Sequence, residues 1–204
     1  SMTRTLLSEK IIGLILLATV MLIGCRSSAP PVQFYTLSAT RTQAVSNTIT
    51  AGKPISIGVG PVVIPKMLDR PQIVVRTSPN KLRIDEFHRW AGRLDEDFAR
   101  VVAENISSML PTEQVAVYPW DTNFVPHYQV TLDIRNFEGR LGEDILLEVF
   151  WKVVDLQNRK IMQAKKSVIR EPLPDETYDT LIVTKSKAIA LLSNIIVQEI
   201  NNLN

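Results

Sequence analysis

The residues best placed for covalent chemistry lie at the amino-terminal end of the sequence. Cys25, the single cysteine among 204 residues, directly follows Gly24. The cations Arg4 and Lys10 precede an uncharged run over residues 11–23. That run is shorter than the about 20 apolar residues that a membrane-spanning helix needs, and its length suits the apolar core of a secretory signal peptide. The thiol has no second cysteine to pair with, so the pattern predicts a modified residue at the end of an export signal.

The residues Leu22-Ile23-Gly24-Cys25 resemble the lipobox of bacterial lipoproteins, in which the cysteine receives diacylglycerol. The resemblance implies that residues 1–24 are a lipoprotein signal peptide and that residues 25–32 are a lipidated cysteine with a short tether. Arg26 stands where an aspartate commonly retains enteric lipoproteins in the inner membrane. The sorting rule therefore favours the outer membrane, facing the periplasm, with the inner membrane open. An ordinary signal peptide or an amino-terminal anchor helix remains the alternative.

Other reactive side chains predict neither a metal site nor a catalytic site. His88 and His127 are far apart in the sequence, and neither has a partner at the spacing of metal ligands. The acidic residues 95–97 are explained by a helix start, where the helix dipole favours negative charge. No nucleophile elbow and no phosphate-binding loop of the Walker type is present. We therefore expect a protein that is not an enzyme and that has no cofactor.

Composition excludes two further classes. The formal net charge is only +2 and no basic run occurs, which makes nucleic acid an improbable partner. No second segment is expected to be apolar enough to span a membrane. The residues after the tether, 33–204, are sufficient for one domain with its own core.

Hydrophobic periodicity predicts the elements of that domain. Apolar residues at steps of three and four indicate helices over residues 94–110 and 178–200, the second capped by Asp175. Short strands are expected from Phe34 and Val115, and a strand over residues 55–64 is expected to be bulged at its glycines. A hairpin is predicted over residues 72–86, and three longer strands begin near residues 128, 145 and 161. This order predicts a single α+β domain, with a mainly antiparallel β-sheet and two α-helices packed on one face.

The strand after residue 144 carries apolar residues on both faces, and one face also has Glu148 and Lys152. Leu146, Phe150 and Val154 interrupt the face that should be polar when helices cover only the other. They predict either an interface with a subunit or partner, or a strand covered by the loop formed by residues 38–53. The sequence does not choose between these two interpretations.

Two proline-containing segments also allow two interpretations. The residues from Pro65 to Pro71 could form a rim that faces a partner, although a stiff turn is preferred. Tyr118-Pro119-Trp120 could supply aromatic anchors to an interface or to the core.

Several segments together resemble the ABC-type transport auxiliary lipoproteins, a family that includes PqiC. The segments, in chain order, are Ile57-Gly58-Val59-Gly60-Pro61-Val62-Val63-Ile64-Pro65 followed by Leu68, then Arg70-Pro71-Gln72-Ile73-Val74, Arg89-Trp90-Ala91, and Asn136-Phe137-Glu138-Gly139-Arg140 followed by Trp151. The similarity covers nearly the whole chain after Cys25. One departure is Gly92-Arg93, where many members are expected to have a proline before the helix.

The resemblance implies a part of a lipid-trafficking system that supports envelope integrity. Lipoproteins of this kind sit at the outer membrane and partner with an MCE-domain protein of the PqiB type, whose tunnel spans the periplasm. A homo-oligomeric ring is expected, because a tunnel end presents symmetry to its receptor. The alternative is a stand-alone lipid-binding or assembly lipoprotein of the periplasm, which would need an apolar cavity of several hundred Å³.

Overall fold

The computed structural model describes residues 28–40, 55–110, 112 and 114–203. Residues Val32–Asn204 form one compact unit. Its described strands are β1 Gln33–Tyr35, β2 Ile57–Val63, β3 Gln72–Ser78, β4 Lys81–Trp90, β5 Val115–Val117, β6 Tyr128–Arg140, β7 Asp144–Asp155 and β8 Lys160–Pro172. Its described helices are α1 Leu94–Met109 and α2 Tyr178–Asn201. The predicted lipidation site Cys25 and most of the predicted loop lie outside the described residues.

The larger sheet has five strands in the order β5-β2-β6-β7-β8. The long strands β6, β7 and β8 are joined by short turns and pair antiparallel, as predicted. Strand β2 instead pairs parallel with both β5 and β6. The sheet is therefore mixed, because the chain between β2 and β5 passes through two strands and a helix, and such a crossover returns it in the same direction.

The smaller sheet has three strands in the order β1-β4-β3. The predicted hairpin of β3 and β4 is confirmed, and β1 adds to it in parallel. The expectation of one sheet is wrong in this respect. Local patterns identify strands but not their neighbours, and the apolar run Ile73-Val74-Val75 is buried on both faces of β3.

The predicted bulge in β2 is confirmed. Its pairing with β6 shifts register between Val59 and Val62, and Gly60 has a φ of +111°, a backbone region that favours glycine. Gly58 is also constrained, because a Cβ atom there would lie 2.4 Å from the ring of Trp120. Trp120 therefore packs directly on β2, which favours a core role for this residue.

The helices begin and end close to the predicted bounds. The cap of α2 differs from the prediction, because Thr177 and not Asp175 is the N-cap, and the Thr177 side chain accepts a hydrogen bond from the Thr180 N–H (3.2 Å). Asp175 lies two residues before the N-cap and accepts hydrogen bonds from the Thr177 N–H (2.8 Å) and the Thr180 hydroxyl (2.8 Å). The carboxylate thus positions the capping residue. Hydrogen bonds from the Thr177 hydroxyl (2.7 Å) and then from the Thr177 N–H and the Thr180 hydroxyl lower the pKa of Asp175.

Helix α2 is long and apolar enough to span a membrane by length and composition alone. The expectation that no second segment would meet this criterion is therefore wrong. Most of the helix is buried inside the domain, which is the environment of a core helix. Its apolar character reflects contacts on several sides, as expected for a helix in the middle of a core.

Both helices pack on one face of the larger sheet. A Cβ atom added to Gly139 of β6 would lie 2.3 Å from Leu181 of α2 and 2.8 Å from Ile145 of β7, so this face meets the helix directly. The rings of Phe98 on α1 and Phe137 on β6 meet edge to face, with centroids 5.3 Å apart. This confirms the predicted helix layer.

A lysine side chain lies within this core. Lys185 of α2 is 2% exposed, and its ammonium group donates a hydrogen bond to the carbonyl oxygen of Phe137 (2.5 Å). The same nitrogen lies 4.0 Å from the centroid of the Phe137 ring. Burial lowers the pKa of Lys185 to about 7, an effect that the charge of Glu138 partly opposes.

Candidate functional site

The three predicted interface residues lie in one row on β7, on the face opposite the helices. Ile145, Leu147 and the later residues of that alternation are buried against the helix layer, which turns Leu146, Phe150 and Val154 outward. Phe150 is 43% exposed, and the other two are half-buried. We call the outward surface around this row the β7 face.

Cations flank the aromatic ring at the centre of the β7 face. The guanidinium carbon of Arg135 lies 5.4 Å from the ring centroid of Phe150, and the Lys166 ammonium lies 5.5 Å from it. Each cation also has a carboxylate partner, since Arg135 pairs with Asp133 (2.7 Å) and Lys166 pairs with Glu148. Cation–π contacts at exposed positions contribute about 0.5–1 kcal/mol each. The two cations thus stabilise an aromatic ring that remains partly exposed.

Strand β8 extends the apolar part of this face. Val168 is 54% exposed and lies opposite Glu148 on β7, while Ile161 is 55% exposed and lies opposite Val154. The sequence analysis did not identify these two residues. The only signal available for them was the alternation of β8, which is weak because lysines occur at neighbouring positions on both of its faces.

An ion pair joins the two sheets at the other end of the row. Glu138 of β6 is 7% exposed and accepts two hydrogen bonds from the guanidinium of Arg76 on β3. The second pair, Arg170 with Asp144 (2.8 Å), lies beside it. These four side chains and Leu146 line a cavity of about 70 Å³. The bidentate geometry fixes the smaller sheet on the end of the larger one.

The covering-loop interpretation of the β7 face stays untested, because residues 41–53 are not described. The described start of this segment runs along the helix layer. The Leu37 N–H donates to Asp97 of α1 (2.7 Å), and the Ser38 N–H donates to Ser186 of α2 (3.1 Å). The last described residues before this gap therefore lie on the helix side of the sheet.

The histidines and acidic residues have structural partners. His88 stacks on Tyr178, with ring centroids 3.9 Å apart, and His127 lies 3.8 Å from Asp155. No group of three potential metal ligands occurs within the described ranges. Asp97 is more than part of a solvated helix start, because it holds both the Leu37 N–H and the guanidinium of Arg100 (2.6 Å).

The proline-containing segments are also assigned. The Leu68 N–H donates to the Pro65 carbonyl (2.9 Å), so the segment that follows β2 forms the preferred turn, and Leu68 itself is buried. Tyr118 stands 49% exposed next to the packed Trp120, with the two rings edge to face. One aromatic residue of this motif is therefore in contact with the core and the other faces solvent.

A depression of about 310 Å³ opens at the start of α1. This volume lies within the size range of ligand sites. Its lining includes Arg93, Glu96, Asp97 and Arg100. A charged lining of this kind does not suit an acyl chain, because burying such groups against hydrocarbon is costly. The depression gives no support to the stand-alone lipid-binding interpretation.

Comparison with known proteins assigns the family. The sequence model of the ABC-type transport auxiliary lipoprotein component matches residues 35–197. The chain belongs to this family. An uncharacterised protein of known crystal structure is 19% identical and superposes with a TM-score of 0.68, over 84% of this chain and 99% of its own. A protein from Xanthomonas campestris is 15% identical, with a TM-score of 0.67 over 84% of this chain and 97% of its own.

These two structures share the fold of the present chain. No curated protein sequence matches it significantly. The family assignment confirms the resemblance seen in the sequence, and it places the chain among lipoproteins that serve as auxiliary components of transport systems.

Proposed function

We propose that this lipoprotein is the outer-membrane subunit of an MCE-type system for lipid trafficking between membranes. Acylation of Cys25 anchors it in the outer membrane, facing the periplasm. Its domain docks the end of a periplasm-spanning tunnel formed by an MCE-domain protein of the PqiB type. In this role it is a non-enzymatic adaptor that supports envelope integrity. Membership of a family of transport auxiliary lipoproteins supports the proposal.

The observation that carries the docking role is the β7 face. It combines an apolar centre, Phe150 with Val168 and Ile161, with a surround of paired charges. Protein interfaces have this anatomy, with an apolar core and a polar rim. Aromatic residues at such centres commonly carry much of the binding energy.

A homo-oligomeric ring is part of the proposal. A tunnel end repeats the same surface around its axis, so a ring of adaptors would match it with identical contacts. In such a ring the β7 face contacts either the neighbouring copy or the tunnel protein. The two assignments differ in what a mutation of Phe150 would abolish.

The proposal can be tested with the acylated chain purified in detergent. We would measure its mass by size-exclusion chromatography with light scattering, alone and with the purified PqiB-type protein of the same bacterium. Phe150→Ser and Val168→Ser should weaken either self-association or the complex. Val183→Ser is the matched control, since Val183 is 68% exposed on α2 and lies outside the β7 face.

The outcomes separate the possible roles. A wild-type monomer that does not bind the PqiB-type protein would contradict the adaptor role. Loss of the ring alone in the Phe150 variant would assign the β7 face to contacts between copies. Loss of the complex by a variant that keeps its mass would assign the face to the tunnel protein.

A further inference from the structure

The edge strand of the smaller sheet presents an exposed aromatic residue nine positions after Cys25, the predicted anchor. Phe34 lies in β1, which pairs with β4 on one side only. Its side chain is 65% exposed, and Val32, two residues earlier, is 41% exposed. Every residue from Ser28 to Phe34 is exposed. The domain therefore begins with two apolar side chains that have little contact with its own core.

The chain limits how far Phe34 can lie from the acyl groups. The segment from Cys25 to Phe34 spans at most about 32 Å when fully extended, at roughly 3.6 Å per residue. A flexible segment of this length has a root-mean-square span of about 17 Å. Pro30 and Pro31 restrict its conformations further. Phe34 is thus confined to the neighbourhood of the lipid surface whenever Cys25 is acylated.

The polar residues beside Phe34 suit a membrane interface. Arg89 lies opposite it on β4 and pairs with Glu86 (2.7 Å). Phenylalanine, like tryptophan and leucine, is typical of protein surfaces that bury at the boundary between headgroups and acyl chains. Arginine can keep its charged group in water while its aliphatic stem covers apolar surface. An isolated exposed apolar residue needs no explanation on a free protein, but this one is held within reach of a bilayer.

We infer that Val32 and Phe34 insert into the lipid surface beside the acylated cysteine and orient the domain on the membrane. The inference rests on the proposed acylation of Cys25. The occupant of this patch is the bilayer itself and not a second protein. Insertion gives the anchored domain a preferred orientation with the β1 edge toward the lipid.

The test uses the acylated chain in vesicles of phosphatidylethanolamine and phosphatidylglycerol. Acylated Cys25 has no free thiol, so a cysteine introduced as Val32→Cys can be labelled with an environment-sensitive fluorophore. We expect nitroxide-bearing lipids to quench this label at least twofold more than a label at Val125→Cys, which is 71% exposed in the connection between β5 and β6. Phe34→Ser in the Val32→Cys background should reduce the quenching at least twofold.

The outcomes distinguish this inference from the proposal on which it rests. A mass spectrum that shows no acyl groups on Cys25 would contradict the proposed anchor. Acylated protein whose quenching at position 32 is unchanged by Phe34→Ser would overturn the inference alone, since nearness to the anchor would then explain the signal. If the label is shielded only when protein is added, and not by lipid alone, this surface contacts a protein and the inference is overturned.

Discussion

Replacing Lys185 by methionine should stabilise the domain and remove one source of its pH dependence. The lysine is buried against Phe137. Among the described residues its ammonium has one hydrogen bond, to a backbone carbonyl, and no carboxylate in direct contact. Methionine keeps most of the unbranched stem and removes the charge. The wild-type protein therefore carries a cost for burying the ammonium that the variant does not.

The magnitude follows from the two pKa values. The pKa of Lys185 is about 7 in the folded state and 10.5 when unperturbed, a difference of about 3.5 units. Each unit corresponds to about 1.4 kcal/mol, so the charged form lowers the free energy of unfolding by about 5 kcal/mol below pH 7. Methionine leaves the Phe137 carbonyl without this donor, which costs about 1–3 kcal/mol. We expect a net gain of about 2–4 kcal/mol at pH 6.

The same two pKa values determine how the free energy of unfolding changes with pH. Below pH 7 the lysine is protonated in both states, and the full penalty applies. Between pH 7 and 10.5 the unfolded chain retains a proton that the folded state has lost, so the free energy of unfolding of the wild-type protein rises with pH. The advantage of the methionine variant should therefore shrink steadily over this range.

The assay is urea unfolding, followed by tryptophan fluorescence at pH 6, 7, 8 and 9, on the chain starting at Arg26. The difference between wild type and Lys185→Met isolates this group from all others that titrate. Lys187→Met is the control, since Lys187 lies on the same helix and is 59% exposed in a pair with Glu171. A Lys185→Met variant that is less stable than wild type, or a difference that stays constant from pH 7 to 9, would refute the reasoning.

Three further substitutions should destabilise the domain in the same unfolding assay. Arg76→Ala leaves the buried Glu138 without its partner and should lower the free energy of unfolding by about 3–5 kcal/mol. A smaller loss in Arg76→Met/Glu138→Met would confirm that the unpaired carboxylate causes the loss. Gly58→Ala should push the Trp120 ring away from β2 and lower the free energy of unfolding by about 1–3 kcal/mol. Unchanged tryptophan emission and unchanged stability would contradict this expectation. Thr177→Ala removes the cap of α2 and should cost about 1 kcal/mol, whereas no loss would mean that Asp175 caps the helix alone.

The helices and the long strands could be predicted because their signals are local. The step of three and four from Leu94 onward and the alternation over β6 and β7 each depend on one buried face. The bulge of β2 was also predictable, since Gly60 and Pro61 interrupt a β-branched run. These features need no knowledge of which elements become neighbours.

The separation into two sheets and the parallel pairing of β2 could not be predicted in the same way. Both depend on where a strand goes after a long connection, and no short pattern encodes this. Lys185 shows the same limit at a single residue. The steps of three and four put Lys185 on the apolar stripe of the helix with Leu181 and Ala188, but only the position of α2 over Phe137 supplies the carbonyl that its ammonium contacts in the core.

The candidate surface was partly predictable for a related reason. Phe150 stood out because it broke an alternation, whereas Arg135 and Lys166 became recognisable only once the strand register placed them beside its ring. The arrangement suits an adaptor that must remain soluble before it assembles. Two cations lie over the ring, and their carboxylate partners keep the local charge nearly balanced. A partner that covers this face would gain the apolar area of Phe150, Val168 and Ile161, which are 43%, 54% and 55% exposed.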